Sequence, residues 1–309
     1  MSSGARHFLR FIQEASWGAG AGAAPAFQTI RMATCTLGLT AEGIESNEVR
    51  GDGKRSVFRL GPRKIGGEVT FDLAYGDQFD VLLQAALQGT WTNNVLVDGA
   101  TRRSFLMERH FAEQAAGDLP YHRFNGCEIS ALSLKVPAKG IVTGSMTIIG
   151  QDIALAGTAI ADATYGAAGT NPVFDSFTGT LEEGGNTMGL VTEINLKLDN
   201  KMETRYAVGS KLTLQPSVED VTKVSGSIGV HFVNATMLEK FRDEVESSLM
   251  FTLPDKLGNE LTVTIPKLVY TGGSPDVKGP GNIVLMMPFE ALYDSGIGGT
   301  LQFERDPVT

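Results

Sequence analysis

The side chains able to carry acid–base, nucleophilic or metal chemistry are sparse in this sequence: four histidines, two cysteines and carboxylates without evident pairing. His110 and His122 have no cysteine or glutamate at metal-ligand spacing, and His7 stands apart from both. His231 falls on the polar phase of an apolar alternation, between Val230 and Phe232. All four read as exposed or hydrogen-bonded side chains. No GxSxG elbow or Cys–His arrangement offers a nucleophile. The GAGAG run at Gly18–Gly22 follows no strand and is not followed by GK[ST], so it reads as a flexible segment rather than a phosphate cradle. Gly51-Asp52-Gly53 and Asp255–Gly258 are turn chemistry, and Glu182-Glu183 reads as a solvated pair in a Gly-rich turn. These residues point away from catalysis, and neither a metal nor a cofactor is expected.

Composition narrows the class further. Apolar residues are 42% and charged residues 20%, the balance of a folded chain. Thirty-five acids against 26 Lys and Arg give a net charge of −9, contrary to a protein that grips nucleic acid by neutralising phosphates. No apolar run approaches the roughly 20 residues of a membrane helix. The N-terminal apolar stretch Phe8–Ile12 carries Arg10 and falls short of the about 7–15 residues of a signal h-region. The expectation is an intracellular chain with Cys35 and Cys127 as free thiols.

The elements that position these residues are mostly strands. Period-2 alternation marks Thr34–Thr40, Glu68–Leu73, Glu128–Val136, Thr143–Ile149, Glu193–Leu198, Ser227–Val233, Leu261–Tyr270 and Ile283–Phe289. Two segments show helical spacing instead: Asp77–Gln88, with Phe79, Leu82, Leu83 and Ala86 on one face, and Ala235–Ser247, with Leu238, Phe241 and Val245.

Sliding the chain so that Cys35 meets Ile194 aligns both patterns without a gap. Leu37 and Leu39 then meet Leu196 and Leu198, Gly67 meets Gly226, and Val69, Phe71 and Leu73 meet Ile228, Val230 and Phe232. Phe79, Leu82 and Ala86 follow onto Leu238, Phe241 and Val245. The length of the chain also suits two domains, so a tandem duplication is expected. Its parts are an N-terminal arm over 1–30, a first unit over 31–150, a linker with weak strands over 151–188, a second unit over 189–293 and a C-terminal arm over 294–309. The glycine-rich Gly18–Ala26 and the tail Gly296–Thr309 read as arms that order only against a partner.

Each unit contains a long excursion, Ala41–Gly66 and Asp199–Ser225. Loops of this length inside a domain are usually functional. The first mixes a basic run, Arg50–Lys64, with Glu45, Glu48 and Asp52, a composition suited to ion pairing between subunits rather than to phosphate. Glu48, Arg50, Lys54, Arg55 and Arg59, with Arg205 and Lys211 of the second excursion, are the expected inter-subunit or inter-ring contacts.

Over nearly its whole length the sequence resembles the major tail tube proteins of long-tailed, non-contractile bacteriophages, in the two-repeat form of flagellotropic phages. The resemblance is carried by Ile44–Trp91 (IESNEVRGDGKRSVFRLGPRKIGGEVTFDLAYGDQFDVLLQAALQGTW) and Arg123–Asp152 (RFNGCEISALSLKVPAKGIVTGSMTIIGQD). Asn171–Phe174, Ile194–Ser210 and Pro288–Phe303 (PFEALYDSGIGGTLQF) continue it. It implies a mainly β fold of two tail-tube-type sandwich or barrel units, each with a short flanking helix. It further implies trimeric, pseudo-hexameric rings stacked head to tail in the virion tail, assembled in the host bacterial cytoplasm. The implied partners are further copies, the tape measure protein, terminator and tip proteins, and genomic DNA passing through the bore. An acidic wall would repel that DNA.

The rival reading is a virion decoration or receptor-binding β-sandwich. It calls for an exposed aromatic cluster, whereas aromatics are 8% and Phe71, Phe79, Phe232 and Phe241 fall on core phases.

Overall fold

A computed structural model of the chain describes residues 4–48, 51–52, 54, 57–176, 179–277 and 279–307. Alternation decides most of its strands: Leu132, Leu134 and Val136 are buried while Ser133 and Lys135, between them, face the other way. The first half runs through β1 (His7–Gln13), β2 (Ala26–Ile30), β3 (Thr34–Cys35), β4 (Gly38–Glu45) and β5 (Phe58–Asp72). Helix α1 (Asp77–Ala86), β6 (Val95–Val97), β7 (Phe105–Phe111), β8 (Tyr121–Pro137) and β9 (Thr143–Gly150) complete it. The connecting region holds β10 (Asp152–Ala156), β11 (Thr164–Tyr165), β12 (Thr180–Glu183) and β13 (Asn186–Thr187). The second half contains β14 (Val191–Asp199), β15 (Met202–Tyr206), β16 (Thr213–Val218), β17 (Lys223–His231) and α2 (Thr236–Arg242). It ends with β18 (Ser247–Pro254), β19 (Glu260–Tyr270), β20 (Ser274–Asp276), β21 (Val284–Ala291) and β22 (Gln302–Asp306).

The fold is mainly β and two-layered because its longest strands change partners along their length. The beginning of β8 pairs with β7 and β10, and its end pairs with β9 and β14. Strand β19 runs beside β18 from Glu260 to Leu268, while its other edge changes from β22 at the beginning to β21 at the end. Between the layers of the first half lies an aromatic core in which Phe11 meets Phe105 edge-on at 5.5 Å and Phe71 meets Phe79 of α1 at 5.0 Å.

The same strand order occurs in both halves: β3/β4, β5, β9, β8 in the first and β14, β17, β21, β19 in the second. Val69 sits opposite Met146, and Ile228 opposite Met287. Gly67 and Gly226 occupy matching places. A Cβ on Gly67 would collide with the backbone of Leu37, and one on Gly226 with the Asn195 carbonyl and the Phe289 ring. At both positions the neighbouring chain passes too close for any larger residue.

Four expectations need correction. The stretch Gly18–Ala26 does not hang free: buried Glu14 accepts hydrogen bonds from the N–H groups of Gly18, Gly20 and Gly126, and Trp17 donates to the Gly126 carbonyl. The tail is no arm either, because β22 is laddered between β19 and β6 with Phe303 fully buried. Helix α2 stops at Arg242, and Phe241 and Val245 are exposed while Met237 is buried. Glu183 is not solvated but buried.

Candidate assembly surface

The functional geometry lies in a sheet that runs through both halves. Strand β8 pairs antiparallel with β14, setting Val136 against Ile194, Leu134 against Leu196 and Leu132 against Leu198. The ladder β3/β4–β5–β9–β8–β14–β17–β21–β20 is therefore continuous. One face of it is the core. The other is polar and mostly small: Thr70, Ser133, Ser145, Asn195, Ser225 and Ser227 line a shallow concavity of about 640 Å³ across the joint between the halves.

Charge on this polar face is organised locally. Lys135 is 3.8 Å from Glu193, Lys197 is 3.6 Å from Asp199, and Lys223 pairs with Glu290. Exposed pairs of this kind contribute little stability, but each neutralises a cation. Around the concavity Glu68 and Glu290 stand with Lys135, Lys197 and Lys223, and each of these lysines has a carboxylate partner on the sheet.

The ends of the ladder are open. Among the described residues β3 and β4 pair only with β5, and β20 pairs only with β21. Beside them, Leu39 on one edge is exposed, as is Val277, at 71%, beyond the other. An unpaired edge with apolar side chains is a site for adding another strand.

Two hairpins leave the sheet. Arms β4 and β5 form the first, whose outer part exposes Ile44, Phe58 and Leu60; β15 and β16 form the second. Of the residues expected to make inter-subunit contacts, Glu48, Lys54 and Arg59 are exposed on the first hairpin. Arg50 and Arg55 lie outside the described residues. Exposed Arg205 and Lys211 belong to the second hairpin, where the Arg205 guanidinium donates to the Gln215 carbonyl and the Lys211 carbonyl accepts from the Arg63 N–H. The apolar hairpin residues escaped the sequence reading. Their signal was present as Val57, Phe58 and Leu60 inside an otherwise charged excursion.

A hydroxyl, an amine and a carboxylate do converge at one place. Lys240 Nζ lies 2.7 Å from both Glu183 oxygens, Ser247 Oγ donates to Glu183 Oε1 at 2.6 Å, and Tyr270 donates to the same oxygen at 3.0 Å. Burial and the adjacent carboxylate push the Tyr270 phenol far up. The Ser247 hydroxyl is directed at Glu183, and Lys240 donates to both oxygens of the same carboxylate. The network ties α2 and β12 to β18 and β19. Among the described residues no group of His, Cys, Asp and Glu could hold a metal ion, and no helix is long and apolar enough to cross a membrane.

Comparison with known proteins agrees with this geometry. No curated protein sequence is similar enough to the chain to count as a relative. A family model described as phage tail tube protein matches residues 4–291, nearly the whole chain. A mainly β chain with an open-edged sheet spanning two like halves, matched over that length, belongs to the phage tail tube protein family and is a structural component of a virion tail.

Proposed function

We propose that the chain is a tandem duplication of which three copies close into a ring, and that these rings stack head to tail into the tube of a long, non-contractile, flagellotropic-type phage tail. The observation that carries this reading is the β8–β14 junction. It joins one half to the next within the chain and leaves an equivalent pair of edges unused at the two ends of the ladder. Aligning Met146 with Met287 carries Leu132, Leu134 and Val136 onto Gly273, Pro275 and Val277; aligning Ile194 with Cys35 carries Leu196 and Leu198 onto Leu37 and Leu39. Repeating the junction between copies sets Cys35 opposite Val277 and buries Leu39. Heterologous contacts that close by rotation give rings, and six like units around an axis need three chains.

In such a ring the polar face of the sheet lines the bore. Lysines held in ion pairs suit a conduit that DNA crosses without binding, since even a few free lysine–phosphate contacts would hold it. The protein acts without catalysis, around a tape measure protein and between terminator and tip proteins, and its rings form in the host cytoplasm. The test is native mass spectrometry and electron microscopy of the purified chain, with Val277→Cys oxidised against Cys35. Rings of three chains that become covalently closed are expected. A stable monomer, or rings with another number of chains, overturns the reading.

A further inference from the structure

One strand edge is covered in the second half and open in the first. Strand β22 is laddered on both sides, with Phe303 set between Val263 of β19 and Leu96 of β6, and both Phe303 and Leu96 are fully buried. Its counterpart in the first half is β10. The alignment of Met146 with Met287 carries His122 onto Val263, so Leu155, opposite His122, holds the place of Phe303. Among the described residues β10 ladders only with β8, and Leu155 is 52% exposed.

The backbone of β10 is in phase for a further strand. The Phe111 N–H donates to the Pro120 carbonyl, so His122 and Phe124 bond toward β7 while Tyr121 and Arg123 bond toward β10. Ala156 and Ala154 answer them, leaving the N–H and C=O of Ile153 and Leu155 directed at the open side. Strand β22 turns the same phase to β6, where the Asp98 N–H donates to the Leu301 carbonyl and the Arg305 N–H to the Asn94 carbonyl.

The cover is missing because the second half lacks the segment that would supply it. The first half passes from α1 through β6 to β7, whereas the second passes from α2 to β18 through 243–246 alone. Each copy's β6 is engaged by its own β22, and among the described residues no strand stands between α2 and β18. Another copy therefore has no counterpart of β6 to offer. We propose that the open edge of β10 receives an extended strand from a different protein, a Val/Leu segment running antiparallel to β10 that sets an apolar side chain against Leu155 as Leu96 is set against Phe303. Main-chain bonds to Ile153 and Leu155 give such a contact its affinity, and the apolar side chain its specificity. Strand β10 belongs to the layer behind the polar ladder, so in the proposed ring the partner lies on the outside of the tube. That placement rests on the ring reading; the edge does not.

The probe is a synthetic peptide of this chain's own residues 92–101 (TNNVLVDGAT), which contains β6. With Leu96→Cys in the peptide and Leu155→Cys in a full-length chain carrying Cys35→Ser, oxidation is expected to join the two, while Cys127, fully buried, stays free. Leu190→Cys, at a comparably exposed position (51%), should capture far less peptide. So should the Leu155→Cys chain when the peptide also carries Asp98→Pro, which removes the N–H that would meet the Ile153 carbonyl. On the unsubstituted chain, saturating peptide should slow exchange of the Ile153 and Leu155 amides at least about tenfold. Equal capture at Leu190→Cys, capture untouched by Asp98→Pro, or unprotected amides at Ile153 and Leu155 rule the site out. Leu155→Lys puts a charge on the edge and should leave ring formation as it is in the unsubstituted chain. Rings lost through that change alone would give the edge to another copy and overturn the different partner. An unsubstituted chain that forms no rings overturns the ring reading and only the outward placement with it, since peptide capture is read on the single chain.

Discussion

The helices of the two halves occupy matching places and are held by opposite means. Helix α1 is sunk in the core: Phe79 is 1% exposed, and Leu82, Leu83 and Ala86 are buried with it. Helix α2 is shorter and leaves Phe241 37% exposed. Beyond the Met237 and Leu238 side chains it turns toward the core, it is held by the ionic lock of Lys240 on Glu183, shared with Ser247 and Tyr270. One position in a repeated fold can thus be secured by area removed from water or by a few directed bonds. The second solution depends far more on each partner being present.

That contrast is broken most directly at Phe79. Phe79→Ala empties a fully enclosed site against Phe71 and is expected to cost about 3–5 kcal/mol, read by urea unfolding at a dilution where the chain is monomeric. A cost below about 1 kcal/mol would show that α1 is not held by burial. Next in size is Lys240→Met, which leaves Glu183 buried with only hydroxyl partners and is expected to cost about 2–3 kcal/mol. Replacing Glu183 with Leu in the same chain should recover most of that loss, because the charge is then removed altogether. If the double variant is no more stable than the single one, the lock is not ionic.

How far these differences were legible in the sequence depends on whether a residue's surroundings are local. Val69, Phe71 and Leu73 declared their strand because alternation is a local property, and Gly67 and Gly226 aligned because the same close approach recurs. The burial of Glu183 was not legible, since its partners lie far along the chain on α2, β18 and β19. The face of α2 was misread for a related reason. Leu238, Phe241 and Val245 have helical spacing, but the helix ends at Arg242 and turns Met237 to the core. The assembly surface was visible only in part. Basic neighbours such as Arg59 and Arg63 drew attention to charge, while Phe58 and Leu60 carry the exposed apolar area.

A smaller effect separates the halves by pH. In the first half, His7 packs on Phe111 and its Nε2 accepts from Arg109 Nε at 3.1 Å. Burial, then Arg109, His110 and His122, draw its pKa down to about 4. His110 and His122 are lowered as well, mainly by burial. Between about pH 6.5 and 4 the unfolded chain binds protons that the folded one does not. Stability is therefore complete above pH 6.5 and declines as the pH falls. For the half-buried His7 ring this amounts to about 1–2 kcal/mol once solvent screening is allowed for. His7→Gln keeps an acceptor for Arg109 and should flatten this part of the pH–stability curve. An unchanged slope would assign the acid sensitivity to other groups.

The smallest expected effect is the sharpest test of the contrast. Phe241 and Phe79 are aligned by sequence and would be expected to matter equally if the halves were held alike. Phe241 projects from α2 with more than a third of its surface in water, so Phe241→Ser removes little buried area. Surface changes of this kind usually stay within about 0.5 kcal/mol. Urea unfolding of the monomeric chain should therefore barely register the substitution, against the several kcal/mol expected for Phe79→Ala. A loss above about 1 kcal/mol would mean that α2 relies on apolar packing after all. The Lys240 lock would then be an accessory to that packing instead of its replacement.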